Sequence, residues 1–285
     1  MADKIKVKRA LLGVSDKSGS ADFAARLVEQ GVELVSTGGT KAHLERSGLR
    51  VIGVEEFTGF PEILDGRVKT LHPRIHGGIL ARRELESHRR QMAENRLEPI
   101  DLVVVNFYPF EQTVAKGGAS LDHALESIDI GGPALVRAAA KNYRDVAVVV
   151  DPSDYAALVD ELRSSSGALS LGTRFKLARK AFAKVAQYDA AIANYLGSVQ
   201  GDAGAGTLGE SFSISLGREQ ALRYGENPHQ QAALYGNFSK IAEQLHGRDL
   251  SFNNVVDINW AINMILDFAD YREAVVAILK HNTPC

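Results

Sequence analysis

The amino-acid sequence predicts an α/β fold, a parallel sheet covered by helices on both faces. Two observations predict it. Short, uniformly apolar runs alternate with segments of helical periodicity, and the runs lack the in–out alternation of a sheet with one wet face. Taken in order, Ala10–Val14 reads as the first buried strand. A helix follows, with Ser20 as N-cap, an apolar face at Phe23, Leu27 and Val28, and Gly31 as its stop. Val32–Val35 returns as a strand, and a short helix from about Thr40 to Ser47 stops at Gly48. Val51–Val54, Leu102–Val105 and Val146–Val150 supply three further strands, and Ala134–Lys141 a helix with Pro133 in its first turn. An alanine-rich helix over Leu171–Leu196 is expected to bury Phe175, Phe182, Val185, Tyr188, Ile192 and Tyr195.

Gly197–Gly206 holds four glycines and no large apolar residue except Val199, which marks a linker. The expected organisation is a first domain over residues 1–197, a linker over 198–210 and a second unit over 211–285. That second unit carries strand-like Phe212–Leu216 and Ala274–Leu279. A length of 285 residues suits one large domain or two ordinary ones. The hydrophobic share of 45% and charged share of 24% are those of a soluble globular protein. With a net charge of −2 no global field recruits nucleic acid or an anionic membrane, so an anionic ligand must be held by local donors. Cys285 is the single cysteine, which excludes an internal disulfide and fits a reducing, cytoplasmic setting. No signal-type apolar stretch follows the lysines of Met1–Arg9, and the longest apolar runs are too short for a bilayer.

Chemistry is expected beyond the carboxyl ends of the strands, where ligands bind in such sheets. Ser15-Asp16-Lys17-Ser18-Gly19 and Ser36-Thr37-Gly38-Gly39-Thr40 follow two strands. Their hydroxyls, glycine amides and helix start suit a phosphate, with Lys17 as a point charge. Each alone is equally a tight turn. Phe57–Ile75 is long and weakly periodic and gathers Arg67, Lys69, His72 and Arg74, either as a functional loop or as a solvated basic one. Asn106-Phe107-Tyr108 places Tyr108 at the sheet's carboxyl edge. Asp129 precedes Gly131 and Gly132 as a cap or as a working carboxylate, and Lys141 can complement the end of its helix.

Together these segments resemble one family. Ser15–Gly19, Ser36–Thr40, Gly66–Pro73, Asn106–Phe110, Ile128–Pro133 and Arg137–Asn142 stand in the order and spacing of a bifunctional purine enzyme. That family joins a transformylase acting on aminoimidazole carboxamide ribotide to inosine-monophosphate cyclohydrolase. Leu222–Gln230, Leu250–Asn254 and Lys280-His281 resemble the opening motifs of the transformylase. The resemblance implies a methylglyoxal-synthase-like first domain, followed by the start of a second, cytidine-deaminase-like α/β domain. It implies Lys69, Tyr108, Asp129 and Lys141 as the catalytic group of the cyclohydrolase. Ser15, Lys17, Thr37, Gly39 and Thr40 would hold the phosphate, and Arg67, Thr70, Asn106, Ile130, Gly131 and Gly132 the rest of the ribonucleotide. In the transformylase it implies Lys280 and His281 as catalytic residues and Arg223 and Tyr224 as substrate contacts.

Ring closure of the formylated ribotide needs no metal and no cofactor, whereas the transformylase takes 10-formyltetrahydrofolate as co-substrate and the full-length parent is a homodimer. With Cys285 four residues beyond His281, formyl transfer is expected only of that parent. Two rivals share the sheet and the phosphate loops, methylglyoxal synthase and a non-catalytic regulatory nucleotide-binding module. Neither accounts for Arg67–Thr70 together with Tyr108 and Asp129.

Overall fold

In the computed structural model, which describes residues 3–115, 120–199 and 209–285, the apolar runs pair as one parallel sheet. The strands of this region are β1 (Lys4–Lys6), β2 (Arg9–Val14), β3 (Glu33–Ser36), β4 (Ile52–Gly53), β5 (Leu102–Asn106), β6 (Ala147–Val149) and β7 (Ala168–Ser170). Five of them form the sheet in the order β4-β3-β2-β5-β6, parallel throughout, while β1 and β7 pair antiparallel beside it. The helices are α1 (Ser20–Glu29), α2 (Gly38–Arg46), α3 (Val54–Thr58), α4 (Pro73–Leu80), α5 (Glu86–Glu94), α6 (Phe110–Ala115), α7 (Leu121–Glu126), α8 (Gly131–Lys141), α9 (Tyr155–Ser164) and α10 (Leu171–Gly197).

Successive strand residues point to opposite faces, so the sheet feeds two cores. Leu11, Val103, Val105 and Val148 pack with Ile75 and Ile79 of α4, Val136 of α8 and Val185 of α10. Leu12, Leu102, Val104 and Val149 pack with Phe23 and Leu27 of α1, Leu44 of α2 and Leu158 of α9. Both faces are dry, which is why the runs read as continuously apolar. Between the strands the crossover helices run back, so the starts of α2, α4 and α8 lie at the carboxyl edge of the sheet.

Several expectations are corrected. Val28 is exposed at the end of α1, and Gly19, at φ 65°, precedes the helix; the Ser20 hydroxyl donates to the Lys17 carbonyl at 2.7 Å instead of capping. The second helix starts at Gly38, two residues early, and α8 starts at Gly131, because the glycine amides themselves form the first turn. In α10, Phe175 and Phe182 are 48% and 42% exposed; Arg174, Leu177, Ala178 and Ala181 take the inner face beside Val185 and Tyr188. The rotation follows from Arg174, whose buried guanidinium donates to the carbonyls of Tyr143, Arg144 and Leu169. Phe182 lies instead under the Arg137 guanidinium and Phe175 against the Tyr143 ring.

The chain divides into two compact units, Met1–Ser213 and Ile214–Cys285. Most of the expected linker over 198–210 lies outside the described residues. The second unit contains β8 (Arg218–Leu222) paired antiparallel with β9 (Ala232–Tyr235), then α11 (Phe252–Leu266) and a short hairpin of β10 (Leu279–Lys280) and β11 (Thr283–Pro284). Phe212–Leu216 is not a strand, and of Ala274–Leu279 only Leu279 is paired. Both have strand-like patterns, but among the described residues Phe212–Leu216 meets no edge to pair with and Ala274–Leu279 meets only a short hairpin at its end. Only Gly225, Leu250 and Ser251 are buried among the described residues of this unit. Among the described residues no helix is long and apolar enough to cross a membrane.

Candidate active site

Five chain segments lie at the carboxyl edge of the sheet. At one end, the loop after β2 and the start of α2 face each other. The Lys17 ammonium stands 4.0 Å from where a side chain on Gly39 would begin, an ordinary contact distance that sets the lysine beside the start of α2. Thr37, in extended conformation, precedes α2, whose first amides are free of intrahelical partners and face the positive end of the helix dipole. An anion placed here meets an ammonium and a helix N-terminus.

This end is held in shape by hydrogen bonds the sequence does not reveal. The Thr40 hydroxyl accepts from the Val14 amide and donates to the Val14 carbonyl, both at 3.0 Å, so it fastens α2 to the end of β2 rather than facing a ligand. Ser36 donates to the Leu12 carbonyl at 2.7 Å. Asn106, at the tip of β5, accepts from the amides of Ser15 and Asp16 at 2.6 and 2.9 Å and donates to the Asp16 carbonyl at 2.9 Å. Its carboxamide oxygen is therefore doubly occupied, and one of its N–H groups is used, in shaping the Ser15–Gly19 loop.

The other end is built around the start of α8. The Gly132 amide donates to Asp129 Oδ1 at 2.8 Å, and a side chain on Gly132 would collide with the other carboxylate oxygen. The Thr70 hydroxyl sits 2.9 Å from where a Gly131 β-carbon would lie. Two adjacent glycines thus let a carboxylate and a hydroxyl close down on the first turn of the helix. Burial is the largest influence on Asp129 and raises its pKa; the Gly132 amide, the Lys69 charge and the Gly131 amide pull it back. Lys69 therefore shares the electrostatic environment of Asp129. Tyr108, one residue past the buried Phe107, is 57% exposed at the same edge, and Ile130 is 63% exposed beside Asp129. Arg67 is ion-paired with Glu126 at the surface.

Lys141 is not brought to this group. It sits exposed at the last position of α8, ten residues from Gly131, which at the rise of an α-helix is about 15 Å away toward the opposite edge of the sheet. Between the two ends of the site, the loops after β3 and β5 are two strand spacings apart, about 10 Å. Sequence reasoning missed Tyr188 of α10, whose hydroxyl accepts from the Asp129 amide at 2.8 Å. Its only signal was its place on the buried face of that helix.

In the second unit, Arg223 lies over the Tyr224 ring at 5.3 Å and donates to the Asp249 carbonyl. It lines an open cleft of 530 Å³ with His246, Arg248, Asn254, Asp257 and Leu279. Lys280 and His281 sit at a tight hairpin turn, with His281 and Asn282 at φ 52° and 62° and the Asn282 amide donating to Asp257 at 2.7 Å.

A five-stranded parallel sheet with this edge belongs to a defined class: residues 19–134 match the model of the MGS-like domain. Residues 139–285 match the model described as AICARFT/IMPCHase bienzyme, and the chain belongs to that family. A bifunctional purine biosynthesis protein PurH of Magnetococcus marinus is 50% identical over 287 residues, covering 98% of this chain and 53% of the relative. The protein of the same description from Rhodopirellula baltica is 51% identical over 291 residues, covering 100% of this chain and 54% of the relative. The chain spans about half the length of these curated relatives. Among solved structures, the crystal structure of ForH superposes with a TM-score of 0.58 at 39% identity, over 66% of this chain and 97% of the other.

Proposed function

We propose that the first unit is an inosine-monophosphate cyclohydrolase, closing the purine ring of formyl-aminoimidazole carboxamide ribotide with loss of water. The observation that carries this reading is the juxtaposition of Lys69, Thr70 and Asp129 at the start of α8, on the same edge as the Lys17–Gly39 anion pocket. The reaction is intramolecular, so holding the formyl group in its attacking rotamer does much of the work; such placement is worth up to about 7–11 kcal/mol in the best model cases. The carboxamide nitrogen bonds to the formyl carbon and gives up one proton, the formamide nitrogen gives up its own as the ring C=N bond forms, and the formyl oxygen takes up these two protons and leaves as water when its bond to carbon breaks.

In this scheme Asp129 receives the carboxamide proton. Burial raises its pKa toward the operating pH and makes it a better base than an ordinary carboxylate. Lys69 and Tyr108 polarise the formyl oxygen and supply protons to it, and the amides at the start of α8 favour the negative charge that develops there. Ser15, Lys17, Thr37 and Gly39 hold the 5′-phosphate, while Asn106 and Thr40 keep that pocket in shape. The same reading makes residues 214–285 part of a transformylase that takes its formyl group from 10-formyltetrahydrofolate, with Arg223, Tyr224, Lys280 and His281 in its site, in a cytoplasmic homodimer.

The test is the absorbance of inosine monophosphate formed from the formylated ribotide without folate. Turnover that falls by about a hundred- to ten-thousand-fold in Asp129→Asn and Lys69→Ala, with both variants folded, supports the assignment. Wild-type rates in either variant would refute it, and methylglyoxal released from dihydroxyacetone phosphate would favour the methylglyoxal-synthase reading instead.

A further inference from the structure

We infer that Tyr188 is a positioning residue for Asp129, fixing the main chain of the acid–base loop against the end of β5. The inference rests on the cyclohydrolase reading for its functional consequence, though not for its geometry. Tyr188 projects from α10 and is only 6% exposed. Its hydroxyl oxygen accepts from the Asp129 amide at 2.8 Å. The ring packs at a tilt on Phe107, with centroids 4.9 Å apart, and meets the edge of Phe110 at 6.4 Å. Phe107 lies between Asn106, which shapes the Ser15–Gly19 loop, and Tyr108. One side chain therefore touches both loops that carry the reactive end.

The consequence runs through the carboxylate. Asp129 and Gly132 are joined by the amide-to-Oδ1 hydrogen bond, so a shift of the Asp129 main chain changes how far its carboxylate lies from the amides of Gly131 and Gly132. The groups that bear on this carboxylate are Lys69 from the segment before α4 and those two amides from α8; the Tyr188 hydroxyl from α10 meets the Asp129 amide, and the Asp129 and Asp189 charges bear in turn on Tyr188. Burial keeps the Tyr188 phenol protonated by raising its pKa, so it remains a neutral acceptor throughout the working range. Removing the hydroxyl leaves the Asp129 amide without its partner and loosens the contacts that favour the ionised carboxylate. Asp129 then holds its proton to higher pH.

Tyr188→Phe keeps the ring and removes only the acceptor. In the full chain, a carbon-13 NMR titration of the Asp129 carboxyl is expected to move upward in pH relative to wild type. The acid limb of the kcat profile moves the same way, and kcat falls by as much as about 100-fold, the cost of a small misplacement of a reacting group. KM for the ribotide stays near wild type, because the phosphate pocket is untouched. On an Asp129→Asn background the same substitution costs nothing further. An Asp129 titration unmoved in folded Tyr188→Phe overturns the inference, whatever the activity shows. Should that variant not fold, Phe107→Leu retains the hydroxyl while loosening its clamp, and an Asp129 titration unmoved there overturns it equally. A wild-type protein that forms no inosine monophosphate sinks the cyclohydrolase reading alone, since the titration needs no substrate.

Discussion

Asp129 is held where a carboxylate is uncomfortable. Its pKa lies above the ordinary value because burial outweighs the amides and Lys69, so the folded protein keeps this proton to higher pH than the unfolded chain does. Stability from this residue is therefore present at low pH and lost as pH rises above 3.8 toward the folded pKa. Asp129→Asn, which keeps an oxygen for the Gly132 amide, should melt higher than wild type at pH 7 and level with it below that window. Calorimetry across pH checks this; a variant less stable at pH 7 would contradict it. Thr40 is the opposite kind of residue, polar, buried and doubly bonded to Val14. Thr40→Val leaves the Val14 amide buried without a partner and should cost about 1–3 kcal/mol in a denaturant titration. Its residue type alone suggested a phosphate contact, because a hydroxyl in a Gly/Ser/Thr loop is chemically suited to either job and only the fold says which way it turns.

At the scale of elements, the position of α4 matters most to the reactive end, since Thr70 leads directly into it. A side chain on Gly78 would overlap the Glu98 carbonyl, so that helix lies on bare backbone. Gly78→Ala should destabilise by about 1–3 kcal/mol as α4 is pushed away, and should lower kcat because Thr70 moves with it; chemical denaturation and turnover measured on one preparation test both. The strands of the sheet were legible because burial on both faces imposes an unbroken apolar run. The orientation of α10 was not. Bulk pointed to Phe175 and Phe182, but the inner face goes to Arg174 and alanines, since the carbonyls of Tyr143, Arg144 and Leu169 need donors and the neighbouring helix lies close. Phe212–Leu216 alternates like a strand, yet pairing needs a partner that no local pattern supplies. Tyr188 was read as core, and its bond to Asp129 spans 59 residues of sequence. Lys141 sits in a segment that matches the family, but helix rise alone carries it away from Asp129.

Over the whole molecule the two units differ in how they bury apolar surface. The first has cores on both faces of its sheet. The second contains α11, an apolar helix none of whose residues is buried, with Trp260 and Leu266 among its exposed side chains. Contiguous exposed apolar surface of this kind drives association. The 285-residue chain should bind a hydrophobic dye and grow in mass with concentration by light scattering, and residues 1–213 alone should do neither. A monomer at all concentrations would count against this.

The carboxamide of Asn106 joins what a ligand's tail feels to what its head undergoes. It dictates the curvature of the Ser15–Gly19 turn, yet it caps the very strand that delivers Phe107 and Tyr108. The turn after β2 and the strand end that presents Tyr108 thus share one side chain. In the proposed site a change at Asn106 is therefore felt at both ends of the ligand, whereas a change at Tyr188 is felt at the reactive end alone.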